Sequence, residues 1–327
     1  RGDSAMFIYH TNNVLQGIVC VYVDDFLWVG NEKFKNSVIK KLYETFKIGN
    51  ESTEQFKYIG LELQEWIGYI TVSQSSYIKS LKCIKFNIHR RNKINDEVTV
   101  AEKELIQSKI GQLLWVSTHT RPDISFDVCV LATNFTKATL KDMLRNEEMK
   151  IKFAPLADLG QLKLVVYSDA AFGNLRDGGS QKAYLIFLVG PNNKCNILAW
   201  QSKRIKRVTR STLAAEATAA RDAVEAVVFL SYIISELYYG EEPTKRIPIQ
   251  AFTDNHSLYV AVTDKKRLRI NIAMLKEMIQ NNELLCLQWV DSKSQLADIL
   301  TKGVSSISLF NVLQSARLTS IRISSCQ

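Results

Sequence analysis

No apolar run in this sequence reaches the ~18 residues that cross a bilayer, and the opening Arg1-Gly-Asp-Ser lacks the apolar core of a signal peptide. Neither a membrane-spanning nor a secreted protein is expected, and the chain reads as intracellular. No Cys-x-x-Cys pair occurs among the cysteines at 20, 83, 129, 195, 286 and 326, which excludes zinc-finger spacing and a dense disulfide framework. Most lie in apolar stretches such as Val19-Cys20-Val21 and Leu285-Cys286-Leu287, where cysteine reads as a small buried hydrophobe in a reducing compartment. Repeats and low-complexity tracts are missing too, leaving an ordinary globular chain.

What is present is enough apolar material for two modest cores or one large one: 327 residues, 46% of them hydrophobic. Lys and Arg number 42 against 33 Asp and Glu, a net charge of +9 that favours an anionic partner, and a nucleic acid is the commonest such partner for a mixed α/β chain.

Alternating apolar residues predict strands over 5–9 and 16–23, a turn at Asp24-Asp25 and a return strand to Gly30. Phe34, Val38, Leu42 and Phe46 recur at helical spacing. A hairpin over 56–63 and 69–73 and a helix over 74–86 complete an α+β element with one small sheet. A polar stretch from about 89 to 100 reads as an exposed linker, followed by helices over 104–118 and 124–135 that Arg121-Pro122 separates. Strands at 162–168, 182–189, 196–201, 247–253 and 284–290 alternate late with helices at 211–238, 255–263, 268–281 and 293–301. That order describes a mixed five-stranded sheet with helices on its faces, an α/β arrangement. No fold is assigned to the Ser-rich tail after Gly303.

Four acids close different segments of this second half: Asp169 ends the first of those strands, Glu216 lies one turn into a helix, Asp254 ends the fourth strand, and Asp298 sits in the last helix. Converging carboxylates suit small hard cations such as magnesium, and two such ions about 3.5–4 Å apart can activate water and stabilise a leaving oxygen in phosphodiester cleavage. Without metal the same groups would repel one another and titrate together. Singly, each has an ordinary explanation as a cap, a turn former or a first-turn acid. The ensemble, in this order, is what points to a metal site.

Lys203, Arg204, Lys206, Arg207 and Arg210 immediately precede the helix bearing Glu216, whose first residues Ser211 and Thr212 offer helix-start amides to phosphate. Asn255, beside Asp254, joins them as a candidate nucleic-acid contact. A solvated loop is the competing explanation, and the run Lys265-Lys266-Arg267 with Arg269 has the same two readings. His256 could point into the site or lie on the surface.

The motifs Tyr-Ser-Asp-Ala-Ala-Phe-Gly (167–173), Ser-Thr-Leu-Ala-Ala-Glu (211–216), Thr-Asp-Asn (253–255) and Gln-Leu-Ala-Asp-Ile-Leu-Thr-Lys (295–302) resemble the RNase H domain of copia-type LTR retrotransposons over roughly 160–303. Tyr22-Val23-Asp24-Asp25 resembles the metal-binding turn of reverse transcriptases. Phe56-Lys-Tyr-Ile-Gly60, Ser73-Gln-Ser-Ser-Tyr77, Ile110-Gly-Gln-Leu-Leu-Trp115 and Thr120-Arg-Pro-Asp-Ile124 resemble segments that follow it in the same polyproteins. The chain is therefore identified with the C-terminal part of a copia-type Pol polyprotein: a partial reverse transcriptase palm (1–88), thumb and connection helices (89–158), an RNase H-like domain (159–303) and a tail (304–327).

The resemblance implies hydrolysis of the RNA strand of RNA–DNA hybrids at Asp169, Glu216, Asp254 and Asp298, with two magnesium or manganese ions per site, and implies metal ligation by Asp24 and Asp25. The expected partners are the hybrid and either an N-terminal polymerase half or a second Pol subunit, with no membrane. The expected place is the cytoplasm, within virus-like particles, or the nucleus. Two departures accompany it. A further palm aspartate would have to precede Arg1, so the palm reads as truncated and nucleotide transfer by this chain alone is not expected. No histidine follows His256, where many RNase H enzymes carry a mobile one before the last acid. The alternative is a domesticated or decayed, non-catalytic nucleic-acid-binding module.

Overall fold

Strand β8 (Lys163–Ala171) is the axis on which the rest is built. Its alternate residues face opposite layers: Val165 and Tyr167 enter one core, Leu164 and Val166 the other, and all four are fully buried. Burial on both faces is worth roughly 1.5–3 kcal/mol for each such side chain, which is why this run is continuously apolar. The computed structural model describes residues 5–82, 99–133, 149–156, 159–240, 246–263, 270–303 and 307–318.

β9 (Gln181–Val189) and β10 (Cys195–Arg204) extend the sheet antiparallel on one side of β8, while β11 (Ile249–Thr253) and β12 (Cys286–Trp289) add parallel on the other, giving the order β10-β9-β8-β11-β12. The five strands expected from the sequence are all present. One face is covered by the 28-residue helix α5 (Thr212–Tyr239) with α6 (His256–Thr263) and α7 (Ile270–Gln280). Small residues on α5, Ala217, Ala220 and Ala223, bring its backbone close to the sheet. Ser211 caps its start by accepting from the Ala214 amide at 3.2 Å, and Gly240 ends it at a φ of 85°.

The opposite face is covered by the segment after Gly303, where helix α8 (Ile307–Ser315) inserts Leu309, Val312 and Leu313. Preceding it, the helix expected over 293–301 is instead two 3₁₀ turns, Ser292–Ser294 and Asp298–Leu300. Asp291 caps the first by accepting from the Lys293 amide, and short serine side chains favour such local turns over a continuous helix.

Before the large sheet lie two small ones rather than one: β1-β2-β3 (Met6–Thr11, Val14–Tyr22, Asp25–Gly30), and β4-β5-β6-β7 (Gln55–Tyr58, Leu61–Trp66, Tyr69–Ser73, Ile151–Phe153). The helical stretch α1 spans 32–45 and buries Phe34 and Ile39 against the first. α2 (Ser75–Ser80), α3 (Val100–His119) and α4 (Ser125–Thr133) form their own small core around Val116 and Val128. A Thr99–Glu102 capping box starts α3 four residues earlier than expected. Most of the expected linker, the ends of the helices expected over 74–86 and 124–135, and the basic run 265–269 lie outside the described residues.

Cys129 and Cys195 carry free thiols. Cys286 is disulfide-bonded, against the expectation of free thiols throughout. It sits half-buried on β12, which is the edge strand of the sheet among the described residues.

Candidate metal centre

Asp169 is carried by β8 near its C-terminal end, and Asp254 follows the last residue of the neighbouring parallel strand β11. Asp298 opens the second 3₁₀ turn, which returns to the same sheet edge because Gln295 donates from Nε2 to the Ser168 carbonyl at 2.9 Å. The result is a cluster in which one carboxylate oxygen from each of Asp169, Asp254 and Asp298 lies within 4.8 Å of the others.

Glu216, on the second turn of α5, is outside this group of three, although the charges of Asp169 and Asp254 act on it. It is 4% exposed, and its Oε2 has no hydrogen-bond partner. An orphaned carboxylate oxygen in that position is costly unless a cation or proton satisfies it.

The electrostatics follow from that crowding. Burial pushes the Glu216 carboxyl up to about 9, with the Asp169 and Asp254 charges adding to the effect. Burial likewise raises Asp169 to about 7, although the Lys302 ammonium and the Thr301 hydroxyl pull in the other direction. Lys302 Nζ lies 2.7 Å from Asp298 Oδ1 and 3.7 Å from Asp169 Oδ2. Burial works against its charge, but the surrounding carboxylates overcome that and raise its pKa. Thr301 donates its hydroxyl to Asp169 Oδ2, Ser292 donates to Asp254 Oδ2 at 2.9 Å, and Trp289 Nε1 donates to the Asp254 carbonyl at 3.0 Å.

These partners escaped the sequence reading because each is defined by tertiary proximity. Lys302 alone left a trace, as the residue four positions after Asp298. The donor set is all carboxylate oxygen, which fits a hard divalent ion such as magnesium or manganese.

The basic residues before α5 divide into two groups. Ile205 is buried, and its amide donates to the Ser180 carbonyl at 2.8 Å, so Lys203, Lys206, Arg207 and Arg210 project to solvent around it. Arg204 is instead ion-paired with Asp177 across the sheet edge. Ser211 and Asn255 spend their side-chain oxygens as helix caps, Asn255 Oδ1 accepting from the Leu258 amide at 2.8 Å, while Thr212 is exposed. His256 is exposed and packs edge-on to Trp289.

The N-terminal pair is placed differently from the turn expected at Asp24-Asp25. Pairing of Tyr22 with Asp25 makes Val23-Asp24 the two-residue loop, one position earlier than expected. Both aspartates are exposed, and among the described residues no group of three or more potential metal ligands includes them. Val23 holds a φ of 53°, an uncommon conformation for a β-branched residue.

No family model matches the chain. Curated relatives do. The Pol polyprotein from transposon RE1 of Arabidopsis thaliana is 24% identical over 98% of this chain and 23% of its own length. That from transposon TNT 1-94 of Nicotiana tabacum is 25% identical over 90% and 24%, and the Ty1-JR1 Gag-Pol polyprotein of Saccharomyces cerevisiae 24% identical over 88% and 18%. The chain thus spans about a quarter or less of the length of these relatives.

Among solved structures, LC11-RNase H1 in complex with an RNA/DNA hybrid aligns with 45% of this chain and 99% of its own, at 17% identity and a TM-score of 0.33. The foamy viral protease-reverse transcriptase in complex with dsDNA aligns with 84% and 55%, at 14% and 0.25. Along most of its sequence the chain is thus similar to copia/Ty1-type retrotransposon Pol polyproteins, and its C-terminal part, a mixed sheet in the order β10-β9-β8-β11-β12 with flanking helices, has the RNase H-like fold.

Proposed function

We propose that this protein hydrolyses the RNA strand of RNA–DNA hybrids, leaving a 3′-hydroxyl and a 5′-phosphate. The observation that carries the reading is the meeting of Asp169, Asp254 and Asp298 within 4.8 Å, with buried Glu216, whose Oε2 has no hydrogen-bond partner, under the influence of the Asp169 and Asp254 charges. Asp169 and Asp254 would hold the first magnesium or manganese ion and share in the second, Glu216 would complete the shell, and Asp298 would hold the second near the leaving group. Such a pair of ions, when bound, supplies an activated water and stabilisation of the leaving oxygen.

The chain's own groups do the remaining work. The Thr301 hydroxyl and Ser292 hydroxyl fix the rotamers of Asp169 and Asp254. Gln295 fixes the backbone of the turn that carries Asp298. Lys203, Lys206, Arg207 and Arg210, exposed before α5, contact backbone phosphates, a sequence-independent attraction that falls with salt. A hybrid would be recognised through its groove shape and 2′-hydroxyls. With Asp24 and Asp25 exposed at a hairpin tip and no third acid beside them among the described residues, nucleotide transfer is not part of the proposal.

The test is magnesium-dependent cleavage of a labelled RNA–DNA hybrid, with double-stranded RNA and an Asp254→Asn variant as controls. Cleavage of the hybrid alone, reduced at least about a hundredfold in the variant, is the expected result. Salt-sensitive binding without cleavage would assign the chain to a binding module instead, and primer extension by the same preparation should give no product.

A further inference from the structure

We propose that Lys302 is a tethered competitor for the divalent cation, lying across Asp169 and Asp298 in the metal-free protein and leaving that edge when the ion arrives. The inference rests on the metal-centre reading above and adds to it a residue that sets how readily the centre fills.

The 298–302 turn presents an acid and a cation together. Backbone amides of Thr301 and Lys302 both donate to the Asp298 carbonyl, at 3.1 and 2.9 Å, and Asn174 Nδ2 anchors the Thr301 carbonyl at 2.8 Å. The turn is therefore fixed, and the lysine's four-carbon stem is what remains free to move. Its ammonium reaches two members of the carboxylate cluster at once, 2.7 Å from Asp298 and 3.7 Å from Asp169. Those carboxylates belong to the set that would ligate metal, so the ammonium and the ion share partner residues and like charge.

Lys302 can yield. Its side chain is 41% exposed whereas that of Asp169 is 1% exposed, so the ammonium can swing to water while the carboxylate cannot follow. One positive charge also offsets the acids incompletely, and the buried Glu216 Oε2 has no hydrogen-bond partner. The doubly charged ion displaces the singly charged one, and the cost of that displacement weakens metal binding.

The experiment is calorimetric titration of the intact chain with magnesium and with manganese chloride at fixed ionic strength, in wild type, Lys302→Gln and Lys302→Arg. Loss of the competing charge should tighten binding in Lys302→Gln on the order of tenfold, while Lys302→Arg keeps the charge and stays near wild type. Equal or weaker binding in Lys302→Gln overturns the proposal. If Lys302→Gln folds only with metal, circular dichroism reads the concentration that folds it, and a midpoint at or above the wild-type dissociation constant overturns the proposal equally. A wild type that binds neither ion defeats the metal-centre reading itself, an outcome distinct from an unaltered affinity in the variant.

Discussion

At the scale of single residues, the centre is a set of charges that the fold brings closer than water would allow. Asp169 and Glu216 have folded-state values of about 7 and about 9, against roughly 3.9 and 4.3 in an unfolded chain. Both shifts are upward, so the folded protein retains protons that the unfolded chain releases, and stability is greatest at low pH. In chelator, Tm should fall steadily from about pH 5 to pH 9 as the two groups ionise inside the fold. Magnesium or manganese should restore it, with a gain that grows across the same window. Glu216→Gln removes the descent between about 7 and 9 and lessens the part below it, where Asp169 alone then contributes. A thermal-denaturation series in which Tm is flat with pH in chelator, or in which metal helps equally at pH 5 and pH 9, contradicts this account. The four acids themselves were legible in the sequence because each closes a recognisable segment. Their partners were not: Thr301 reaches Asp169, and Arg204 reaches Asp177, through contacts that no local pattern encodes.

At the scale of elements, strands and long helices were readable because they repeat a period many times. All five strands of the large sheet and helix α5 lie close to where apolar spacing puts them. The turn that carries Asp298 has no period to read. Two 3₁₀ turns separated by Gln295-Leu296-Ala297 replace the expected helix, and Gln295 is what ties them to β8. It is 5% exposed, its Nε2 bonds the Ser168 carbonyl and its Oε1 accepts from the Ala297 amide at 3.2 Å. Gln295→Ala leaves a buried carbonyl and a buried amide unpaired, at a cost of about 1–3 kcal/mol. It also frees Asp298 to drift from Asp169, so metal affinity should fall with stability. Urea unfolding and metal titration of the variant check the two effects. A loss below about 0.5 kcal/mol, typical of an indifferent surface change, would show that the turn is held by something else.

At the scale of the molecule, the nuclease-like unit does not end where its motifs end. Met149 and Ile151 enter its core from before the expected start at 159, and Leu309, Val312, Leu313 and Leu318 enter from after Gly303. Asn196 clasps the backbone of Ala154 through both its amide atoms, Trp200 donates to the Ser117 carbonyl at 2.7 Å, and His10 bonds the Leu237 carbonyl at 2.9 Å. The 3₁₀ turn Pro122–Ile124 and helix α4 pack against the 298–300 turn itself. Composition hid α8: the serines around it read as a solvated tail, although Leu309, Val312 and Leu313 fall at the i, i+3, i+4 spacing of a buried helix face.

Leu313 tests whether that helix matters to the site. It is 2% exposed in the same core as Ile299 and Leu300, the residues that follow Asp298. Leu313→Ala should therefore cost about 2–5 kcal/mol, the transfer loss plus the cavity it leaves. Because that cavity opens beneath the turn that carries Asp298, divalent-ion binding should weaken as well. Ile307, 67% exposed on the same helix, is the control, since Ile307→Ala removes a side chain that water already surrounds and should change stability by less than about 0.5 kcal/mol. Equal urea midpoints for the two variants would mean that α8 lies on the sheet without supporting it, and that the acids are positioned by the strands and the 298–302 turn alone.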